Sequence, residues 1–153
     1  MAGVVKVVEA LRMFNPSAIF SLEADADFTD KQYHAVGFKA ADAKKAVLYD
    51  GATAAFTTGR PPAGLLLNNP KAGQACDIYP FQDGGILPLI FDAALTLYDQ
   101  VAIGTTTKVG MGIIVTDPTL DKVIWTVGTA LSVGGDDIYG LIYAYLQSIN
   151  AFA

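Results

Sequence analysis

Ala63-Gly-Leu-Leu-Leu-Asn-Asn-Pro-Lys-Ala-Gly-Gln-Ala-Cys-Asp-Ile-Tyr79 reads as strand, turn, strand. An apolar run stops at Asn68-Asn69-Pro70-Lys71-Ala72-Gly73, and a second β-prone run begins at Cys76. The turn residues serve for separate reasons. Asn tolerates a left-handed backbone, Pro presets φ, and Gly takes positive φ freely. Nothing in the stretch carries evident chemistry, so it is scaffold.

The same punctuation continues on both sides. Upstream, Ser17 to Leu22 and Tyr33 to Phe38 read as strands, separated by an acidic turn region from Glu23 to Asp30. A polar, Ala-rich turn at Lys39 to Lys45 leads to a strand from Ala46 to Tyr49. Asp50-Gly51 then gives a hairpin signal. A Thr-rich run from Thr53 to Thr58 ends in the loop Gly59-Arg60-Pro61-Pro62. Downstream, Asp83-Gly84-Gly85 is a tight turn, and Ile86 to Phe91 is a strand that Pro88 marks as an edge or a bulge. Leu95 to Ile103, Val109 to Val115, Val123 to Val127 and Gly128 to Leu131 follow, broken at Gly104 and at Asp117-Pro118. A turn over Val133 to Asp137 precedes a closing segment from Ile138 to Leu146.

That closing segment fits two periods. Ile138, Ile142, Tyr145 and Ile149 lie on a helical face, whereas Tyr139, Leu141, Tyr143 and Tyr145 alternate as in a strand. Gly140 and the β-branched and aromatic content favour the strand. Short β-prone segments between regularly spaced turns predict an all-β fold, either a small β-barrel or a β-sandwich. Residues 1–16 form an N-terminal arm or short first element ended by Asn15-Pro16, and residues 17–153 form a single β domain. Within the arm, Val4, Val8 and Leu11 fit a helical face, while the paired valines argue for extended chain.

An internal echo runs through this pattern. Phe28-Thr29 and Ala35-Val36-Gly37 match Leu95-Thr96 and Ala102-Ile103-Gly104, and Gly64 to Leu67 with Ile78-Tyr79 resemble Gly128 to Leu131 with Ile138-Tyr139. Two related half-units building one barrel would explain it. Chance likeness among Gly-punctuated β segments would explain it equally.

Composition narrows the function. The 153 residues suit one domain with a real core. Apolar residues make up 52% and charged residues only 16%, below the usual quarter, which points to an oligomeric or docking surface or a very apolar core. The net charge is −5 and the cations are dispersed, with Lys44-Lys45 the one basic pair, so nothing here would displace counterions from a nucleic acid. No apolar run approaches the ~20 residues of a membrane-spanning helix. The N-terminus lacks the apolar core of a signal peptide, so the expectation is a soluble protein made in a cytoplasm. With one cysteine there is neither an intrachain disulfide nor a multi-thiolate zinc site.

The residue types that carry chemistry read as structural. His34, the only histidine, has no nucleophile motif to serve and reads as a surface strand residue opposite Tyr33. Cys76 reads as a buried structural thiol. Glu23, Asp25, Asp27 and Asp30 lack the Gly and closing Glu of a calcium loop and read as a solvated turn. Asp136 and Asp137 are adjacent, so an extended chain would point them to opposite faces. Gly84-Gly85 and Gly134-Gly135 lack phosphate-cradling patterns. The expectation is therefore no catalytic residue, no metal ligand, no cofactor and no enzymatic activity. The interface candidates are the apolar arm residues Val4, Val5, Val7, Val8, Leu11, Met13 and Phe14. Trp125, Tyr139, Tyr143 and Tyr145 join them, because such rings pair an apolar body with a polar tip.

Three stretches resemble the capsid cement (head decoration) family of tailed phages. They are Phe28-Thr-Asp-Lys-Gln-Tyr-His-Ala-Val-Gly37, Gly64-Leu-Leu-Leu-Asn-Asn-Pro-Lys-Ala-Gly-Gln-Ala75, and Gly128-Thr-Ala-Leu131 with the closing strand. The likeness spans about Phe20 to Leu146, and Asn-Asn-Pro-Lys-Ala-Gly is its most specific part. The chain departs from the family at Tyr79 to Ile86, and Gly110 to Val127 looks like extra length. The resemblance implies a small β-barrel or β-sandwich on the outer surface of an icosahedral head. There it would bridge major capsid subunits as a homotrimer, or a dimer, and oppose the pressure of packaged DNA. The virion would be its location, and the major capsid protein and further copies of itself its partners. Two other readings compete. A small-molecule-binding β-barrel would need a closed pocket lined by Trp125 and the tyrosines, and an enzyme on a β scaffold would need the polar cluster this chain lacks.

Overall fold

The computed structural model describes residues 16–51, 60–92, 95–105, 107–115, 123–132 and 138–150. The opening stretch forms as read. Strand β4 (Gly64–Leu66) pairs antiparallel with β5 (Ala75–Tyr79), Leu66 opposite Ile78. Asn68 ties the hairpin: its side-chain amide donates to the Ala75 carbonyl (3.0 Å), and its Oδ1 accepts from the Asp77 N–H (3.0 Å). Asn69 Oδ1 accepts from the Gln32 N–H at 2.8 Å and so ties the turn to the distant segment before β2; both asparagines act through side-chain bonds to the backbone. Asn68→Ala removes both of its bonds and should cost about 1–2 kcal/mol, read as a lower urea midpoint at unchanged slope.

Three further strands complete a barrel around this hairpin: β1 (Phe20–Ala24), β2 (Ala35–Phe38) and β3 (Lys45–Leu48). They close in the order β1-β3-β2-β4-β5, and only β1 and β3 run parallel. A short 3-10 turn, Phe81–Asp83, leads through Gly84 and Gly85 into a second set. Strands β6 (Ile86–Phe91), β7 (Gln100–Ile103), β8 (Gly112–Ile114), β9 (Val123–Ala130) and β10 (Ile138–Asn150) close as β10-β6-β8-β7-β9. The fold is all-β, and it consists of barrels. Closure satisfies each strand's backbone on both sides and removes the free edges that invite aggregation.

The second barrel repeats the first pairing by pairing. Ala24↔Ala46, the parallel contact, recurs as Phe91↔Gly112. Phe38↔Ala46 recurs as Ile103↔Gly112, and Val36↔Gly64 as Val101↔Gly128. Leu66↔Ile78 and Phe20↔Ile78 recur as Ala130↔Ile142 and Leu87↔Ile142. Loop bonds repeat as well. Lys39 N–H to Lys45 O and Gly104 N–H to Met111 O are both 2.9 Å. Asp25 and its counterpart Asp92 are each ion-paired to a lysine, Lys39 and Lys108, which do not themselves occupy equivalent positions. The echo thus marks two complete barrels, not two halves of one. Its alignment shifts: Val36 corresponds to Val101, and Ile78-Tyr79 to Ile142-Tyr143.

Several expectations change with this topology. Asp50-Gly51 does not close a hairpin, because β3 pairs with β1 and β2 and not with β4. Gly51 instead donates its N–H to Gly104 O (3.1 Å) in the second barrel. His34 is buried, not on the surface, because the chain before β2 is pressed against Gly110 at the junction of the barrels. Pro88 sits inside a continuous β6, opposite Leu141. It fits because Leu141 turns its N–H to Ser132 Oγ and its carbonyl to Leu131 N–H, away from the proline. The region from Gly110 carries β8, the counterpart of β3.

Alternation decides what each barrel buries. Ala24, Phe28, Val36, Ala46, Leu66, Cys76 and Ile78 fill the first. Leu87, Leu89, Phe91, Val101, Ile103 and Ile142 belong to a second cluster that also takes in Ala35, Tyr49, Leu65 and Tyr79 from the outer side of the first barrel. The second cluster therefore spans the junction, while the first stays inside its own barrel.

Candidate interaction surface

Strand β10 delivers the expected tyrosines. Gly140, Ile142 and Ala144 are buried, so the alternate residues Tyr139, Leu141, Tyr143 and Tyr145 face outward. Tyr139 and Tyr143 are 42% and 55% exposed. Across the ladder Tyr143 stands opposite Ile86 and Tyr139 opposite Ile90, so the outer face of β6 and β10 is apolar and carries no charge. In the first barrel, exposed Ala75 and Glu23 stand at the positions of Tyr139 and Ile90, and exposed Asp77 and Ser21 at those of Leu141 and Pro88. Tyr143 and Ile86 instead correspond to Tyr79, which is buried, and Ile19, which is half-buried. Around Tyr139 the second barrel is therefore apolar where the first is polar, and at Tyr143 it exposes a tyrosine that the first barrel buries.

Tyr145 is partly covered, and its hydroxyl accepts from Thr129 Oγ1 (3.2 Å) and lies 3.5 Å from Gln100 Nε2. Trp125 lies on β9 opposite Ser148, half-buried and away from the Tyr139–Tyr143 stripe. The arm candidates Val4, Val5, Val7, Val8, Leu11, Met13 and Phe14 lie outside the described residues, as does the turn holding Asp136 and Asp137.

The sequence reading missed further exposed apolar residues. Tyr98 is 78% exposed and Leu97 half exposed on the turn before β7, and Phe38 stacks on Phe20 (centroids 6.4 Å apart) at the rim of the first barrel. Tyr98 has φ 71°, a left-handed backbone that a bulky residue rarely adopts. Its counterpart Tyr33 has φ 68°. The signal was available in the echo, once Val36 is set against Val101.

The titratable groups are held structurally. Burial, with Asp77 adjacent, pushes the Cys76 thiol up to about 11. At neutral pH Cys76 should therefore label with thiol reagents only at the rate of local or global opening, and at once in denaturant. Burial likewise raises the Tyr49 phenol, whose hydroxyl donates to Arg60 O (2.8 Å). The Lys39 ammonium, bonded to Asp25 at 2.7 Å, holds that carboxylate below its ordinary range. Thr29 does the same for Asp27, through hydroxyl and backbone N–H. Among the described residues no three His, Cys, Asp or Glu side chains gather as metal ligands would.

Fold and surface together define a tandem-barrel all-β protein whose second barrel exposes a tyrosine face. The same fold occurs in the head fiber gp8.5 N base of bacteriophage phi29, with a TM-score of 0.58 and 14% identity over 82% of this chain and 92% of that one. Neither the protein-family models nor the curated proteins contain a match to the sequence.

Proposed function

We propose that this chain is a structural protein of a phage head: a capsid decoration (cement) protein. It binds the outside of an icosahedral shell, bridges major capsid subunits and stiffens the shell against packaged DNA. The observation that carries this reading is the fold shared with a head fiber base over 82% of this chain and 92% of that one. The resemblance of Gly64 to Ala75 and Gly128 to Leu131 to the cement family supports it from the sequence side. The exposed tyrosines supply the contact surface, and many identical contacts on a lattice let each copy bind modestly. The protein works without catalysis and without a nucleic-acid or membrane partner. It self-associates, as a homotrimer in this reading, and is made in the host cytoplasm before joining the virion.

Both barrel interiors are filled by buried side chains, and five strands enclose less room than the eight that suffice for a small ligand. The ligand-binding alternative gains no support from them. The test is direct: purified protein mixed with bare, expanded heads should co-sediment with them and raise their rupture temperature. Heads that rupture unchanged, with the protein left in the supernatant, would refute the proposal. Deleting Ala2 to Phe14 in the same assay asks whether the arm contributes.

A further inference from the structure

We infer that Tyr98, with Leu97, is a hook by which one copy of this chain engages a second copy, seated in the groove between β1 and β3 of that copy's first barrel. This deepens the self-association in the reading above. The inference rests on a contact the chain already makes with itself.

At the junction of the barrels, the backbone around Tyr33 enters the second barrel. The Ile90 N–H donates to Tyr33 O (3.0 Å), the Ala35 N–H donates to Gly110 O (2.7 Å), and the Gly110 N–H donates to Tyr49 O (2.9 Å). The segment thus bridges β6 and the chain entering β8, where β6 and β8 pair through the rung Phe91↔Gly112. The Tyr33 ring closes the contact by meeting Tyr139 edge-on, with centroids 5.8 Å apart. Tyr33 is the hook, and Ile90, Gly110 and Tyr139 form the socket.

The duplication supplies each part a second time. Tyr33 and Ala35 correspond to Tyr98 and Gln100. Tyr98 repeats the unusual backbone of Tyr33, and its N–H is anchored the same way, on Ala130 O (2.8 Å) as Tyr33 is on Leu66 O (2.7 Å). A positive φ at a bulky residue costs of order 1 kcal/mol and persists where structure or function demands it. Tyr33 uses the shape to reach the second barrel. Tyr98 holds the same shape and points into solvent.

The socket residues Ile90, Gly110 and Tyr139 correspond to Glu23, Lys44 and Ala75. These line an open groove on the first barrel together with Ser21, Leu22 and Gln74. Ala75 replaces the Tyr139 ring and leaves room for an incoming aromatic side chain. In the free chain the Glu23 N–H donates to Lys44 O (3.0 Å) and closes the seam. Entry of a hook would exchange that bond for one to Tyr98 O, as Ile90 gives its N–H to Tyr33 O. Because hook and socket lie on different barrels, the contact is heterologous and links copies head to tail.

Mixing single variants Tyr98→Cys and Gln74→Cys under mild oxidation tests the geometry. The expected product is a disulfide between one chain of each type, with buried Cys76 unreactive. In sedimentation, the wild-type chain should form a discrete oligomer. Tyr98→Asp should raise its dissociation constant at least about ten-fold, and Gln82→Asp, on the linker, should leave it unchanged. A wild-type chain that stays monomeric at every concentration, or Tyr98→Asp chains that assemble as well as wild type, would overturn the inference. So would cross-links that form only between Tyr98→Cys chains. Tyr98→Asp must keep the wild-type thermal midpoint for its result to count as assembly loss, and an exposed turn residue should. Head binding is scored separately: oligomers linked by the hook that ignore expanded heads would defeat the capsid reading alone.

Discussion

Phe91→Ala is expected to lower the unfolding free energy by about 4 kcal/mol, enough to take a large share of a typical domain's total of about 5–15 kcal/mol. Phe91 is fully buried in the second barrel, in the core cluster that spans the junction. Truncating it loses the transfer energy of the ring and leaves a cavity that a closed barrel cannot collapse. Gly140→Cys should also destabilise, by about 2–3 kcal/mol, through overpacking. A Cβ at Gly140 would fall within 2.9 Å of Phe91 Cδ2 and collide with the ring edge. The first barrel shows how to relieve both faults. There the positions of Phe91 and Gly140 are held by Ala24 and Cys76, both buried in one cluster. The double variant Phe91→Ala/Gly140→Cys installs that pair and should cost at least about 2 kcal/mol less than the two single losses combined. A chemical-denaturation cycle measures this directly. Strict additivity would mean that the barrels do not share a packing plan at these positions.

Gly64→Ala and Gly128→Ala are each expected to cost about 3 kcal/mol. They are counterparts, and each lies under a strand carbonyl of its own barrel. A Cβ at Gly64 would run into the Tyr79 backbone oxygen and come within 2.8 Å of Ile78 Cγ2, and one at Gly128 would run into the Tyr143 oxygen. A flexible side chain could swing away, but an oxygen in a closed ladder cannot move without spreading β4 from β5, or β9 from β10. Because one core cluster reaches from the second barrel to Leu65 and Tyr79 of the first, the two substitutions should act on a single transition. Trp125 emission, from the second barrel, and Cys76 labelling, from the first, should then shift together in Gly64→Ala. A Trp125 transition left in place while Cys76 becomes reactive would show that the barrels unfold separately.

These two results would also bear on function. The proposed role on a shell would gain from a body that resists partial opening, and the cluster that spans the junction provides it. The tyrosine face and the Tyr98 turn need no such rigidity of their own, because the barrel beneath them holds their geometry.

What the residues alone determined was local. The Asn68 to Gly73 turn, the alternation of Cys76 and Ile78 against Ala75 and Asp77, and the outward set Tyr139, Tyr143 and Tyr145 follow from backbone preference and a period of two. They predict strands and faces with no knowledge of partners. Cys76 was legible as buried for the same reason. His34 was not, because alternation gives a face and does not say whether another barrel covers it. Asp50-Gly51 misled because turn chemistry fixes a bend, whereas strand pairing is a choice among distant segments. The tyrosine stripe was therefore visible in the sequence. The hook was not, since a left-handed Tyr has no signature in composition. The tertiary structure alone decided that the chain closes two barrels, that they repeat each other's register, and that Tyr33 is covered while Tyr98 is not. Those outcomes depend on contacts between residues far apart in the chain, and such contacts are settled by how whole barrels pack.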